Sequence, residues 1–251
     1  MSDLKSHVLA GVDALFVRHD PAAVDAAFAE PYLQHNPKAP SGLAFLRHLA
    51  AMPDLTIVRS RALAEGDLVV THGRLTGFGP VPLVVFDIFR VEDGKVVEHW
   101  DVMQPEVGTT VSGRTQLDGP TEVVELDQTA ANKALVEGMF ADVLYGHRMD
   151  RLTDYFSAVR YDQHNPGVAD GLAGFGRAMA DLAQAGLTME YRKTHRVVAE
   201  GNFVFTHSDG IFAGKRVMFA DLFRVEGGRI VEHWDAIQEI PEATASGLPM
   251  W

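Results

Sequence analysis

The chain has 251 residues, no cysteine and a formal net charge of −12, with 47% hydrophobic and 22% charged residues. Disulfides, thiolate catalysis and thiolate metal sites are thereby excluded, the basic residues form no run that would suit nucleic acid, and no apolar run nears the roughly 18 residues of a membrane span. The opening segment is amphipathic and broken by Asp13 and Arg18, so it does not read as a signal peptide, and a cytoplasmic protein is expected.

Leu4, Val8, Val12, Leu15 and Phe16 recur at helical spacing. His19-Asp20-Pro21 breaks that helix and starts a second, which presents Val24, Ala27 and Phe28. A third, short helix carries Leu43, Leu46 and Leu49 behind a candidate cap at Ser41, and Pro53 ends it. Strand-like runs follow near 55–64, 67–77, 81–91 and 95–103, separated by turn residues, of which Asp93-Gly94 is the strongest hairpin signal. The order then repeats, with helices near 128–145, 148–158 and 170–185 and strands near 187–199, 202–213, 216–226 and 229–238.

This return is written in the residues themselves. Asp87-Ile88-Phe89-Arg90-Val91-Glu92-Asp93-Gly94-Lys95-Val96-Val97-Glu98-His99-Trp100-Asp101-Val102-Met103-Gln104 recurs 134 residues later as Asp221 to Gln238, with twelve of eighteen positions identical. Tyr32-Leu33-Gln34-His35-Asn36-Pro37 recurs 129 residues later as Tyr161-Asp162-Gln163-His164-Asn165-Pro166. That period suits a whole small domain. A tandem duplication is expected: a first domain over 1–108, a linker over 109–126, a second domain over 127–240 and a tail over 241–251. Helices before strands in each half mark an α+β class.

Residues two apart on a strand share a face. Asp87 with Phe89, and His99 with Asp101, then point one way, and Trp100 points the other; Asp221, Phe223, His233, Asp235 and Trp234 repeat this. A hairpin at Asp93-Gly94 sets residues 87 and 101 near opposite each other. His72 and His207 interrupt matching apolar strands. Such groups are seldom buried unless paired, and an Asp in an apolar cavity beside a His becomes a near-neutral acid/base suited to proton abstraction beside a carbonyl. The competing reading is of His–Asp pairs that satisfy each other in the core. His35 and Asn36, with copies His164 and Asn165, sit where loops close over a cavity and could donate to a ligand oxygen, or serve only as a turn fixed by Pro37. His35, His72, His99 and Asp101 could offer oxygen and nitrogen ligands, but their spacing matches no metal motif and no metal is expected. Phosphate loops and nucleophile elbows are absent from the sequence.

The run Tyr-x-Gln-His-Asn-Pro, a helix, then Asp-x-Phe-Arg-x-x-x-Gly-Lys/Arg-x-x-Glu-His-Trp-Asp resembles the SnoaL-like (polyketide cyclase-like) family of the NTF2-like superfamily. The resemblance covers nearly all of both halves. It implies two α+β cone domains, each a curved antiparallel sheet packed on N-terminal helices around a pocket, and acid–base chemistry without an organic cofactor. Matched by place in the His-Trp-Asp motif, the general acid/base is Asp101 and Asp235. The cyclases often carry His where this chain has Asp87 and Asp221, a departure from the pattern. Pairing of such domains through the outer sheet face implies an intramolecular pseudo-dimer, with further oligomerisation possible; two independent domains on the linker are the alternative.

Three functions therefore compete. The first is an enzyme acting on a small apolar or aromatic carbonyl compound by aldol-type cyclisation, isomerisation or hydration/dehydration. In it Asp101 and Asp235 shuttle the proton, Asp87, His99, His72 and their copies Asp221, His233 and His207 tune them, and His35 and His164 hold an enolate oxygen. Tyr32, Asn36 and Phe89, with Tyr161, Asn165 and Phe223, would contact the substrate. The second is a binding protein with the same pocket and no catalysis. The third is a chain with one active half. The tail, ending in Trp251, could fold over a pocket.

Overall fold

Two five-stranded sheets of the same plan organise the computed structural model, which describes residues 2–251. In the first half, α1 (Ser2–Phe16) leads through a single 3-10 turn, Pro21–Ala23, to α2 (Val24–Ala27). Asp20 caps that turn by accepting the Ala22 N–H. Then come β1 (Phe28–Gln34), α3 (Leu43–Ala50), β2 (Thr56–Glu65), β3 (Leu68–Thr76), β4 (Leu83–Glu92) and β5 (Lys95–Pro105). The sheet order is β1-β5-β4-β3-β2. The β4–β5 hairpin turns where expected: Asp93 and Gly94 both have positive φ, +49° and +76°, as a type I′ turn requires.

The sheets are mixed rather than antiparallel, because β1 joins β5 in parallel. β1 contains Pro31, which cannot donate to a ladder; an edge strand tolerates it, and β1 is the edge. Its buried side chains, Phe28, Tyr32 and Gln34, alternate inward with one irregularity. Ser41 does not cap α3; its hydroxyl accepts the Gln34 N–H at 3.1 Å, and the helix starts after Gly42 without a side-chain cap.

The second half contains α4 (Thr129–Met139), which runs into a π-helical turn (Phe140–Tyr145), then a 3-10 turn and α5 (Leu152–Tyr155). After these come β6 (Asp162–Gln163), α6 (Gly171–Gln184), β7 (Met189–Glu200), β8 (Phe203–Phe212), β9 (Lys215–Glu226) and β10 (Arg229–Glu239). The order β6-β10-β9-β8-β7, with β6 parallel to β10, repeats the first sheet. No helix among the described residues is long and apolar enough to cross a membrane.

The chain divides into two compact units whose limits differ from those read in the sequence. One comprises the chain up to Glu106 together with Ile240–Trp251; the other is Val107–Glu239. The stretch taken for a linker is thus part of the second unit, and the tail is part of the first. In each unit the helices pack on one sheet face to form the core, around Val12, Leu15, Phe28, Leu46 and Val85 in the first and Val136, Phe140, Tyr161, Val204 and Phe223 in the second.

Candidate active site

Between helices and sheet, each unit encloses a cavity lined mainly by apolar side chains. In the second unit it measures about 380 Å³ and is walled by residues that include Met139, Val143, Phe156, Phe175, Met179 and Leu182. Its sheet side carries Tyr191, Asp221, Phe223, His233 and Asp235, and Tyr161, Gln163 and Asn165 complete it. In the first unit the same positions supply Tyr32, Gln34, Asn36, Asp87, Phe89, His99 and Asp101, but only about 50 Å³ is left. Val12, Leu15 and Phe16 from α1 and Phe45, Leu46 and Leu49 from α3 take up the room. A volume of several hundred cubic ångströms suits a small organic ligand; the smaller one suits a water molecule or two.

The paired carboxyls, the histidine and the two amides are arranged alike at the polar ends of the two cavities. Asp87 and Asp101 are register partners across β4 and β5, as are Asp221 and Asp235 across β9 and β10. Two carboxylates so placed repel, and a histidine bonds one of them. His99 Nε2 stands 3.0 Å from Asp87 Oδ1, and its Nδ1 lies 3.0 Å from Gln34 Oε1. Gln34 Oε1 also accepts the Asn36 N–H, which fixes it as the oxygen, so His99 Nδ1 is the donor. The proton between His99 Nε2 and Asp87 is then shared. In the second unit His233 bonds Gln163 and Asp221 at 3.2 and 3.1 Å. Asn36 Nδ2 donates to Asp101 Oδ2 at 2.7 Å, and Asn165 Nδ2 to Asp235 Oδ2 at 2.6 Å.

Burial dominates the proton affinities. Loss of water pushes the Asp101 carboxyl up to about 6; Asp87 adds to the rise, while His99 and Asn36 oppose it. Asp235 is raised to about 6 by the same cause, with His233 and Asn165 pulling back. For His99 and His233 burial alone would lower the pKa, but the carboxylate bonds and charges outweigh it and hold both above the ordinary histidine value. Each unit therefore holds a neutral-range carboxyl beside a histidine that favours its charged form.

Asp87, His99 and Asp101 also bring three ligand-capable atoms within 4.8 Å of one another, as do Asp221, His233 and Asp235. Of His35, His72, His99 and Asp101 only the last two belong to this cluster, which could hold a divalent cation with Asp87 as its third member. The Nε2-to-carboxylate separation is that of a hydrogen bond, which favours a shared proton at this point.

Four histidines expected at the site lie elsewhere. His72 pairs in register with Phe86, stacks on it at 4.2 Å, and meets Arg61 at 3.2 Å, on the face opposite Asp87. His207 likewise meets Arg196 at 3.3 Å. His35 stacks on Trp100 at 4.8 Å with Nε2 2.9 Å from Glu98, and His164 stacks on Trp234 at 4.6 Å with Nε2 3.0 Å from Glu232. Their neighbours in sequence, Gln34, Asn36, Gln163 and Asn165, are the ones that face the cavities. Trp251 lines neither cavity.

Tyr191 was missed. Its hydroxyl donates to Asp221, 3.0 and 3.2 Å from the two oxygens, and burial first, then the charges of Asp221 and Asp235, keeps the phenol neutral by raising its pKa well above the usual value. The signal is a lone tyrosine in Met189-Glu190-Tyr191 where the first half has Leu55-Thr56-Ile57; Ile57 lines the smaller cavity.

The model of the SnoaL-like domain matches this chain twice, over residues 8–99 and 136–233. The chain belongs to the SnoaL-like domain family. Both SnoaL-like segments begin in the first helix of their half and end on the histidine of the His-Trp-Asp motif. Solved structures similar to the chain include TsrD from Streptomyces laurentii, 24% identical, with 39% of this chain and 87% of that one covered and a TM-score of 0.34. They also include IdmH from Streptomyces antibioticus, a polyketide cyclase candidate, at 24%, 40%, 91% and 0.33. An NTF2-like protein of unknown function from Mesorhizobium loti gives 19%, 41%, 93% and 0.37. Each spans about the length of one SnoaL-like repeat. No match was found among the curated proteins.

Proposed function

We propose that this SnoaL-like protein is an acid–base enzyme, independent of an organic cofactor, whose working site is the cavity of the second unit and whose substrate is a small apolar carbonyl compound. The observation that carries the reading is Asp235: a carboxyl held at about 6 at the polar end of an apolar cavity of about 380 Å³. A base of that strength is ionised at neutral pH yet can return its proton, as general acid–base catalysis requires. The carboxylate takes a proton from the carbon beside the carbonyl and delivers it elsewhere on the product. His233, held towards its charged form, supplies the nearest positive charge, and the Asn165 amide fixes the carboxylate's angle. Aldol-type cyclisation, isomerisation and hydration/dehydration all use such a shuttle. The first unit, filled by α1 and α3, is assigned a supporting role.

The test follows solvent deuterium entering the α-position of a panel of cyclic ketones, read by NMR. Asp235→Asn is expected to slow exchange by about 10²-fold or more, Asp101→Asn to leave it within about twofold, and the parent rate to rise with pH through about 6. Equal loss in both single variants overturns the assignment to one half. Ketones that bind without exchanging in the parent overturn catalysis and leave a binding protein.

A further inference from the structure

The segments that follow the two last strands form a third repeat, at the same 134-residue offset as the strands themselves. Thr110-Val111-Ser112-Gly113 recurs as Thr244-Ala245-Ser246-Gly247. The two fold alike. Gly113 and Gly247 take positive φ, +84° and +74°, and their N–H groups close turns on Thr110 and Thr244 at 3.0 and 3.2 Å. Thr110 Oγ1 donates to the Arg114 carbonyl at 2.9 Å, and Thr244 Oγ1 to the Leu248 carbonyl at 2.6 Å.

Each segment then meets the same partner, the Gln-His-Asn-Pro strip. In the second unit the Val111 N–H donates to the Pro166 carbonyl at 3.2 Å, and His164 Nδ1 donates to the Thr115 carbonyl at 2.7 Å. Ser112 Oγ donates to the Gln163 carbonyl at 2.6 Å, and Arg114 pairs with Asp162 and Asp170. In the first unit the Ala245 N–H donates to the Pro37 carbonyl at 2.9 Å, and His35 Nδ1 donates to the Pro249 carbonyl. Residue 111 corresponds to 245 and 115 to 249, so the contacts are copies. The strip of the first unit is therefore held by the segment that continues β10, and the strip of the second by the segment that continues β5.

We infer that the two repeats exchange arms, and that each arm is a positioning element for the site of the unit it joins. The strip is the link: His35, bonded to the arm, stands between Gln34 and Asn36, whose side chains hold His99 and Asp101. His164 stands likewise between Gln163 and Asn165. Each cavity is lined by its own repeat, and its strip is anchored by residues from beyond the other repeat's last strand. This holds whichever reaction the cavity performs, and it gives His35 and His164 a role outside the cavity. A duplicated chain supplies both arms at a fixed one-to-one ratio, which two separate halves would have to find by association.

The test uses the full chain, a form ending at Ala243, and Ala245→Pro, which removes the donor to Pro37 and little else. Backbone hydrogen exchange and the side-chain amide signals of Asn36 and Asn165 are read in each. Loss or loosening of the terminal arm is expected to speed exchange about tenfold over residues 33–39 and to shift the Asn36 amide signal, with 162–170, 229–239 and the Asn165 signal unmoved. Arg114→Ala is expected to do the reverse, speeding 162–170 and moving the Asn165 signal alone. Faster exchange confined to 229–239 after truncation, or no change at 33–39, overturns the exchange of arms. Faster exchange at 33–39 with an unmoved Asn36 signal, in Ala245→Pro as in the shorter chain, overturns the positioning role.

Discussion

Asp235→Asn is expected to make the protein more stable at pH 8, by roughly 2 kcal/mol, with the gain fading as the pH is lowered towards 4. The carboxyl is raised from about 3.8 to about 6 in the folded chain, so folding favours its protonated form. The stability it contributes is full below the unfolded value and is lost as pH rises through 6. At pH 8 the ionised group costs up to about 3 kcal/mol relative to a neutral one. Asparagine keeps an acceptor for Asn165 and carries no charge to desolvate, while the attraction of His233 is forfeited and takes back part of the gain. Urea unfolding at pH 8 and pH 4 measures the difference directly. A lower midpoint for the variant at pH 8 would mean that the carboxylate stabilises the fold, and the argument from burial would fail. A gain in stability joined to a loss of deuterium exchange is what a buried proton carrier, kept at a cost to the fold, should show.

Arg224→Ala is expected to cost about 3 kcal/mol at pH 7, and Arg90→Ala, its counterpart, about 1 kcal/mol or less. Arg224 is only 5% exposed and its Nε donates to Glu232 at 2.7 Å, while Glu232 itself is 1% exposed. Burial would push the Glu232 carboxyl up, but the bonds from His164 and Arg224 outweigh it and hold it below its usual range. Removing the arginine leaves that carboxylate buried with His164 alone, and a buried charge stripped of a partner is expensive. Because the carboxyl is depressed, the stabilisation is present above its unfolded value near 4.5 and is lost as pH falls. The difference between the two variants should therefore narrow in acid. Arg90 has a side chain 29% exposed and faces Glu98 at 15%, so water compensates much of its loss. Equal costs for the two substitutions at pH 7 would refute the role given to burial.

Sequence periodicity was enough to bring the two carboxyls and the histidine together because they lie on paired strands. Asp93-Gly94 fixed the hairpin, the hairpin fixed the register, and the register put Asp87 against Asp101 with His99 on the same face. Where that logic had no foothold, the reading went astray. His72 sits in Leu68-Val69-Val70-Thr71-His72, apolar on both faces, so nothing in the run says which face is inner; only pairing with Phe86 does. His35 misled for another reason. With the Gln34-His35-Asn36-Pro37 block read as lying between helix and sheet, β1 is not foreseen as a strand, and the alternation that sends Gln34 and Asn36 inward and His35 outward cannot be applied. The unequal cavities depend on how α1, α3, α4 and α6 fill space, a sum over many side chains that no local pattern encodes. The Thr-x-Ser-Gly copies were visible in the letters, but their turn-forming residues gave them the look of a tether.

The first unit is discontinuous in the chain, while the second runs unbroken from Val107 to Glu239. On a ribosome this inverts the usual order of completion, in which the N-terminal domain finishes first. Residues 28–37 emerge early, yet the carbonyl that takes the His35 proton belongs to Pro249, 214 positions downstream. The second unit has all its pieces once Glu239 has left the tunnel. The first must wait until Pro249 has emerged as well, so its closure joins residues far apart in the chain after the second unit is already complete.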